Sequence, residues 1–361
     1  MKFLKFSTLT VASLFVGLLI VEGLARYFLP YPSRQIALLR MRAPDLQMDA
    51  GTDLKNPNYN PFLQRRPHSE WICDGKTPEQ MNNEGFRDQD FVLHKDPTKT
   101  RIAILGDSFT EGWMGPRMAA FPRVLESKLG PRFEVLNFGL ANRSPLRYLA
   151  LYHQIVHKYR PDVVIVCLYL NDVDEDAGLR PYVTFNAQGI PIYFDYKRYF
   201  HNTPRMPQTK WEKRWDKWQW CLCRYSRLYP YAAVMLTVDP EFRKRTLETL
   251  PPQSFDKSWH DTACYLETLK ELVEKDGARY LIAYVPDLKD FHALDPLCSY
   301  TEHFAAEKHI PFFNAAKFLT FTNPPALYIP GDGHFSPAGH RLYADELAQC
   351  GIKPLLTRKR L

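Results

Sequence analysis

No CxxC pair occurs among the seven cysteines of this 361-residue chain, and no Cys/His cluster shows zinc spacing. A structural zinc site is therefore not expected. The odd count leaves at least one thiol unpaired. Cys73, Cys167, Cys221, Cys223, Cys264, Cys298 and Cys350 are too scattered to assign a disulfide. Cys167 sits in an apolar run and reads as plain core. No internal repeat or low-complexity tract is visible. The G-x-S-x-G signature of a nucleophile elbow is also missing, because the serine that follows the first apolar run has Thr110 in the last position. Nucleic-acid binding has little support, since no recognised module accompanies the net charge of +7.

What is present fits a folded body. The chain is 45% hydrophobic and 24% charged, enough apolar material for a sizeable core and ordinary for a globular protein. At the N-terminus, Lys2 and Lys5 precede an uncharged stretch from Ser7 to Val21, shorter than the roughly 20 residues of a membrane span. Glu22 and Arg26 then lie four apart, where they can pair on one helical face and lengthen the usable helix. Residues 1–29 are read as a single transmembrane anchor. The alternative is a cleaved signal peptide, which Glu22 and Leu24 fit poorly around a cut. The basic start favours a cytoplasmic N-terminus, with the rest of the chain periplasmic, at the outer face of an inner membrane. The arginines that follow the helix leave this orientation open.

Residues 30–95 carry Pro30, Pro32, Pro44, Pro57, Pro61 and Pro67 among many Asn and Asp residues, and read as a surface connector with little regular structure. From Arg101 the pattern changes. Short apolar runs at Arg101–Leu105, Phe133–Asn137, Asp162–Leu168, Arg279–Val285 and Ile310–Phe313 suit strands buried on both faces. Helical patterns such as Pro122–Leu129, Leu146–Lys158 and Trp259–Lys275 lie between them. The alternation predicts an α/β fold over 96–356, with a parallel sheet of roughly five strands and helices on both sides. Ligands gather at the carboxyl ends of such strands.

Two segments could carry chemistry there. Gly106-Asp107-Ser108 follows the first strand, where a serine at a strand-to-helix turn is either a helix cap or an exposed nucleophile. Asp332-Gly333-His334 lies near the C-terminus. Asp332 and His334 are two apart and can share a side, so an imidazole there could take a serine proton while the carboxylate orients it. The alternative is an Asp-Gly turn with a solvated histidine. His340, at the start of a helical run, reads as structural. Asn137-Phe138-Gly139 ends the second strand and Asn171-Asp172 follows the third. Gly139 and Asn171 are candidates for an oxyanion hole, though each is common turn chemistry.

In order and placement these blocks resemble the SGNH, or GDSL-type, hydrolases. RIAILGDSFTEG from Arg101, RPDVVIVCLYLND from Arg160 and DGHFSPAGHRL from Asp332 carry the likeness across roughly 82–347. The resemblance implies a three-layer α/β/α sandwich of SGNH or flavodoxin-like type. Ser108 would be the nucleophile, His334 the general base and Asp332 its partner, with the N–H groups of Ser108 and Gly139 and the Asn171 amide as oxyanion donors. It implies no cofactor. Asp107 shapes the turn. The activity implied is that of an ester-bond hydrolase, with polysaccharide acyl transfer or a non-catalytic carbohydrate-binding or assembly role as alternatives. Asp-x-His replaces the common Asp-x-x-His spacing, as in the membrane-associated polysaccharide acetylation branch. Tyr169 stands where a glycine is usual.

One insert, at about 178–257, remains. Between Arg180 and Lys257 it holds 14 Lys/Arg against 7 Asp/Glu, and 14 aromatic residues lie between Tyr182 and Tyr231. Trp211, Trp215 and Trp218 share a helical face. That stripe could pack on the sheet domain, cover a sugar-like substrate as a lid, or touch the bilayer. Arg358, Lys359 and Arg360 read as a solvated tail.

Overall fold

The computed structural model describes residues 2–29, 52–53, 60, 62–72, 78–199, 209–237, 255–287, 296–319, 324–330 and 332–357. Pro30, Pro32, Pro44, Pro57, Pro61, Cys73 and the tail Arg358–Arg360 lie outside them. The chain divides into two compact units, one of Met1–Ala50 with Tyr196–Gln253 and one of Gly51–Asp195 with Ser254–Leu361.

In the second unit five strands form one parallel sheet: β1 (Thr100–Gly106), β2 (Phe133–Gly139), β3 (Val163–Leu168), β4 (Arg279–Tyr284) and β5 (Phe312–Asn314). In space they run β5-β4-β3-β1-β2. Successive side chains of a strand point to opposite faces, so a strand covered on both sides must be apolar throughout. β3 meets this fully, with all six residues of VVIVCL buried. One face packs Ile102, Ile104, Val163, Ile165, Leu281 and Ala283 against helix α2 (Phe121–Leu129) and α7 (Pro337–Glu346) through Phe121, Leu125, Tyr343 and Ala344. A second helical group contains α3 (Pro145–Gln154), α4 (Asp172–Leu179) and the long α5 (Phe255–Lys275).

The strand order matters for function. The chain moves outward from β1 to β2, then returns across β1 to β3 and continues to β4 and β5. The loops leaving β1 and β3 therefore depart in opposite directions. They leave a crevice at the carboxyl ends of those two strands, where ligands of doubly wound sheets bind.

The connector departs from the sequence reading. Phe62, Leu63, Phe86, Arg87 and Asp88 are buried, and Glu70–Ile72 pairs antiparallel with Pro78–Gln80. Its prolines and polar residues do mark turns, but the segment is held inward by buried charge. Arg87 makes a two-pronged pair with Glu79 and donates to the Gly112 and Gly115 carbonyls at 2.5 and 2.6 Å. Asp88 pairs with Arg123 and accepts the Asn137 N–H at 2.9 Å. Burial pushes the Asp88 carboxyl up to about 6 even with Arg123 beside it. Part of the expected insert also belongs to the sheet unit: Val183–Phe185 and Pro191–Phe194 form a small antiparallel sheet with Thr52–Asp53.

In the first unit, Lys2–Phe28 forms one helix of 27 residues. The expected transmembrane span is corrected here: among the described residues no helix is long and apolar enough to cross a membrane. Glu22 and Arg26 do pair, at 3.0 Å. Both also make contacts within the first unit. Glu22 accepts from Ser226 Oγ and from the N–H groups of Arg227 and Leu228, and Arg26 donates to the Tyr225 carbonyl. Burial works to raise the Glu22 carboxyl, but these donors outweigh it and hold the group at about 2.

Trp211, Trp215 and Trp218 lie on the helix Lys210–Tyr225, which opens with a Thr209–Glu212 capping box. Their exposures are 78%, 59% and 64%.

Arg87 should be among the costliest side chains to truncate. Replacing it by Met leaves the Gly112 and Gly115 carbonyls and Glu79 without their partner. Arg87→Met is expected to lower the unfolding free energy by about 3 kcal/mol in a urea titration. A loss under about 1 kcal/mol would contradict the role given to this residue.

Candidate active site

β1 ends at Gly106, where a Cβ would sit 2.0 Å from Thr110 Oγ1, so only glycine lets the following turn close this tightly. Asp107 caps the short helix Ser108–Glu111 by accepting the Phe109 N–H at 3.0 Å. It shapes the turn, as the sequence suggests. Ser108 occupies the first helical position, where a backbone N–H has no partner within the helix. Among the described residues no acceptor meets that N–H.

Ser108 Oγ lies 2.8 Å from His334 Nε2, and His334 Nδ1 lies 2.5 Å from Asp332 Oδ1. Asp332 also accepts the His334 backbone N–H at 3.2 Å, a link that fixes the two residues relative to each other. Gly333 between them has φ 94°, a left-handed conformation that a side chain would strain. The Tyr328–Phe335 bridge and the bond from the Ile329 N–H to the His334 carbonyl close this loop at its base. With Nδ1–H directed at Asp332, the Nε2 lone pair faces the serine hydroxyl. Asp107 Oδ2 offers that hydroxyl a second acceptor at a longer 3.4 Å.

An aromatic wall borders the pair. The Phe109 ring packs on both His334 and Tyr169, with centroids 4.9 and 4.5 Å apart. Tyr169 donates its hydroxyl to Asp287 at 2.6 Å, so the residue that replaces a glycine is held rigidly as part of the wall.

The two expected oxyanion donors from the second and third strands fare differently. Asn171 stands at the N-cap position of α4 without a side-chain cap bond, and its Nδ2 donates to Glu175 Oε1 at 2.5 Å. Gly139 is corrected as an open donor: its N–H is already spent on Asn137 Oδ1 at 2.9 Å. Its requirement is steric, because a Cβ there would lie 2.4 Å from Glu111 N and 2.5 Å from Thr110 C. Sequence reasoning passed over Asn137, which also donates to the Thr110 carbonyl at 3.0 Å and so ties β2 to the serine helix. Glu111 completes the tie by pairing with Arg65 at 3.0 Å and accepting the Ala141 N–H at 2.8 Å. Nothing in the local pattern distinguishes these residues from ordinary turn and surface polar groups.

Acid groups crowd the site. Burial pushes the Asp107 carboxyl up to about 6, and Asp172 well above its usual range with Asp107 adding to the effect. Burial likewise raises Glu175 and Asp176 to about 7. Like charges in a dry pocket disfavour joint ionisation, so the group holds fewer negative charges than its composition suggests. Cys167 is buried beneath, its thiol pushed up to about 12, and behaves as core.

A serine, an imidazole and a carboxylate thus stand in line at the crevice of a doubly wound parallel sheet. Residues 104–342 match the GDSL-like Lipase/Acylhydrolase family, and the chain belongs to that family. Among solved structures it is similar to a putative lipolytic protein of the G-D-S-L family from Desulfitobacterium hafniense DCB-2, at 14% identity, covering 69% of this chain and 98% of that one, with TM-score 0.40. A putative acylhydrolase from Bacteroides fragilis NCTC 9343 gives 14%, 73%, 92% and 0.40 in the same terms. A carbohydrate acetylesterase family member from Sinorhizobium meliloti gives 15%, 69%, 95% and 0.36. No curated protein matches this chain.

His340 is structural. It is buried, its Nδ1 accepts the Phe121 N–H at 3.3 Å, and burial lowers its pKa to about 3, with His334 and Arg87 adding to the effect. The folded protein thus takes up this proton less readily than the unfolded chain. Stability from the neutral ring is present above the unfolded value of about 6.5 and is lost as pH falls towards 3. His340→Asn should keep kcat/KM within about threefold of the native protein, the asparagine carbonyl replacing the acceptor. Compared by urea unfolding at pH 7 and pH 4.5, the native protein should lose ground to the variant at the lower pH. No such pH dependence would contradict the buried neutral ring.

Proposed function

We propose that this protein is a serine esterase that cleaves an oxygen ester through an acyl-serine intermediate. The observation that carries this is the line Asp332–His334–Ser108, with separations of 2.5 and 2.8 Å. His334 Nε2 takes the Ser108 proton as Oγ attacks the ester carbonyl, and the imidazolium that forms is stabilised by Asp332. The Ser108 N–H and the Asn171 amide receive the charge on the carbonyl oxygen. The C–O bond to the leaving alcohol then breaks, and His334 returns the proton to that alcohol. Water, activated by the same imidazole, releases the acid and restores the serine.

The substrate in this reading carries a small acyl group such as acetyl, on an envelope glycan. Tyr169, braced by Asp287 and packed against Phe109, limits the room beside the nucleophile and favours a short acyl chain. If a sugar hydroxyl replaces water in the second half-reaction, the same residues make an O-acyltransferase.

Labelling with a fluorophosphonate probe tests the nucleophile. The native protein should be labelled at Ser108, and Ser108→Ala should lose labelling together with about 10³-fold or more of p-nitrophenyl acetate turnover. A folded native protein that takes no label would instead favour a carbohydrate-binding or assembly role. Turnover that appears only with a glycan acceptor would make the enzyme a transferase.

A second reading concerns where the enzyme works. Three exposed tryptophans on one helix, with exposed Lys210 and Arg214 beside them, suit the lipid–water boundary of an anionic membrane. We place the protein there, with its catalytic unit on the extracytoplasmic side. The full chain should co-sediment with phosphatidylglycerol vesicles more than with phosphatidylcholine vesicles. Replacing Trp211, Trp215 and Trp218 together by Ala should lower the bound fraction about tenfold. Equal binding by the variant would remove this reading.

A further inference from the structure

We propose that Glu175 is a positioning residue for acyl transfer: its carboxylate holds the Asn171 amide so that one amide proton is presented to the oxyanion. This rests on the acyl-serine reading above and adds a residue to it.

The two residues are joined twice. Asn171 precedes α4 and Glu175 lies one helical turn on, where its backbone N–H donates to the Asn171 carbonyl at 2.9 Å. Their side chains meet as well, with Asn171 Nδ2 2.5 Å from Glu175 Oε1. A primary amide can sit in its site in two orientations related by exchange of oxygen and nitrogen. In an oxyanion hole only one is useful, because the exchanged form would aim a carbonyl oxygen at a developing negative charge. Something must select between them.

The Asn171 oxygen does not make the selection. Among the described residues Oδ1 is buried and has no hydrogen-bond partner. The selection falls to the nitrogen end, and a carboxylate is suited to it because an ionised carboxylate only accepts. Exchanging the amide would bring its oxygen against Glu175 Oε1 and set two acceptors in contact. With Nδ2 held, one of its protons is committed to Glu175 and the geometry of the planar amide fixes the direction of the other.

A carboxylate this close to an oxyanion needs compensation, and the surroundings supply it. Arg147 of α3 and Arg143, just before that helix, both act on Glu175 to favour its charged form, while burial and Asp107 oppose them. Arg147 is fixed over the Phe62 ring at 4.7 Å and donates to the Asn142 carbonyl, in the loop that follows β2. Asp172 and Asp176 on α4 itself and Tyr148 of α3 are further titratable neighbours. Burial, with Asp107 and Glu175 adding to it, raises the Asp172 carboxyl well above its usual range. The carboxyl of Glu175 is therefore flanked by guanidinium groups that favour its charged form.

A double-mutant cycle tests this. Asn171→Ala should lower kcat on p-nitrophenyl acetate about 10²-fold by removing a donor. Glu175→Ala should lower kcat about tenfold, with KM changed less than about twofold, because the interaction it supports strengthens only in the transition state. Glu175→Gln keeps an acceptor and should recover most of that loss. In the Asn171→Ala background, Glu175→Ala should cost less than about twofold, since a residue acting through Asn171 has nothing left to position. Thermal unfolding of each variant establishes that it is folded. If Glu175→Ala does not fold, the cycle is run with Glu175→Gln and Glu175→Asp, whose smaller effects should vanish in the same way.

The same tenfold loss with and without Asn171 would overturn the proposal, as would a loss confined to KM or an Asn171→Ala variant of native activity. These outcomes remain separate from failure of the acyl-serine reading. That reading stands or falls on Ser108→Ala, assayed alongside.

Discussion

A serine hydroxyl and an imidazole 226 positions apart share one hydrogen bond, and most of the fold can be understood as what keeps that bond short. The serine is delivered by the end of β1, an interior strand of the sheet paired on both sides. The histidine is delivered by a loop outside the sheet, anchored by the bridge to Tyr328 and followed at once by α7. That helix begins with a Ser336 cap and packs through Tyr343 and Ala344 on the same core that underlies β1. Both partners are thus referenced to one rigid layer. A proton relay needs heavy atoms near 2.8 Å, and two independently mobile loops would not hold that distance.

Below the reacting groups lies a layer of buried charge. Arg87 clamps the loop after the serine helix, Asp88 links Arg123 to Asn137, and Glu111 links Arg65 to Ala141. Each is a desolvated ion paired with a further ion and with backbone groups, the condition under which burial of charge is tolerable. The effect is to fix backbone that would otherwise be free to shift, above all the stretch from Gly139 to Ala141. Residues 62–72 and 78–91 are therefore part of the support of the Ser108 turn and not merely a tether to it.

The site's electrostatics follow from the same dryness. Asp107, Asp172, Glu175 and Asp176 cluster where water is scarce, and burial drives their carboxyls upward. A site that must accept a transient oxyanion would work poorly beside four ionised acids. Proton retention limits that charge, and the arginines of the Asn142–Arg147 stretch offset what remains. In the proposed reaction the oxyanion is then left to a few oriented donors: the Ser108 N–H at the start of a helix and the Asn171 amide.

Much of this was legible before any coordinates. All five strands lie at or within a few residues of their predicted positions because a strand buried on both faces has to be a short unbroken apolar run. Gly106-Asp107-Ser108 and Asn171 could be placed because the turns that follow strands put side chains at the sheet edge whatever surrounds them, and Asp332 and His334 because residues two apart can share a side. Local sequence fixes such things. It could not say that Gly139 spends its N–H on Asn137, that the proline-rich segment buries Arg87 and Asp88, that Glu22 binds residues 226–228, or that the tryptophan stripe stays exposed. In each case the outcome depends on which distant group arrives to compete for a donor, a charge or an apolar face. Only the closed tertiary structure decides that competition, since a hydrogen bond is settled by tenths of an ångström that no pattern of neighbours in the chain contains.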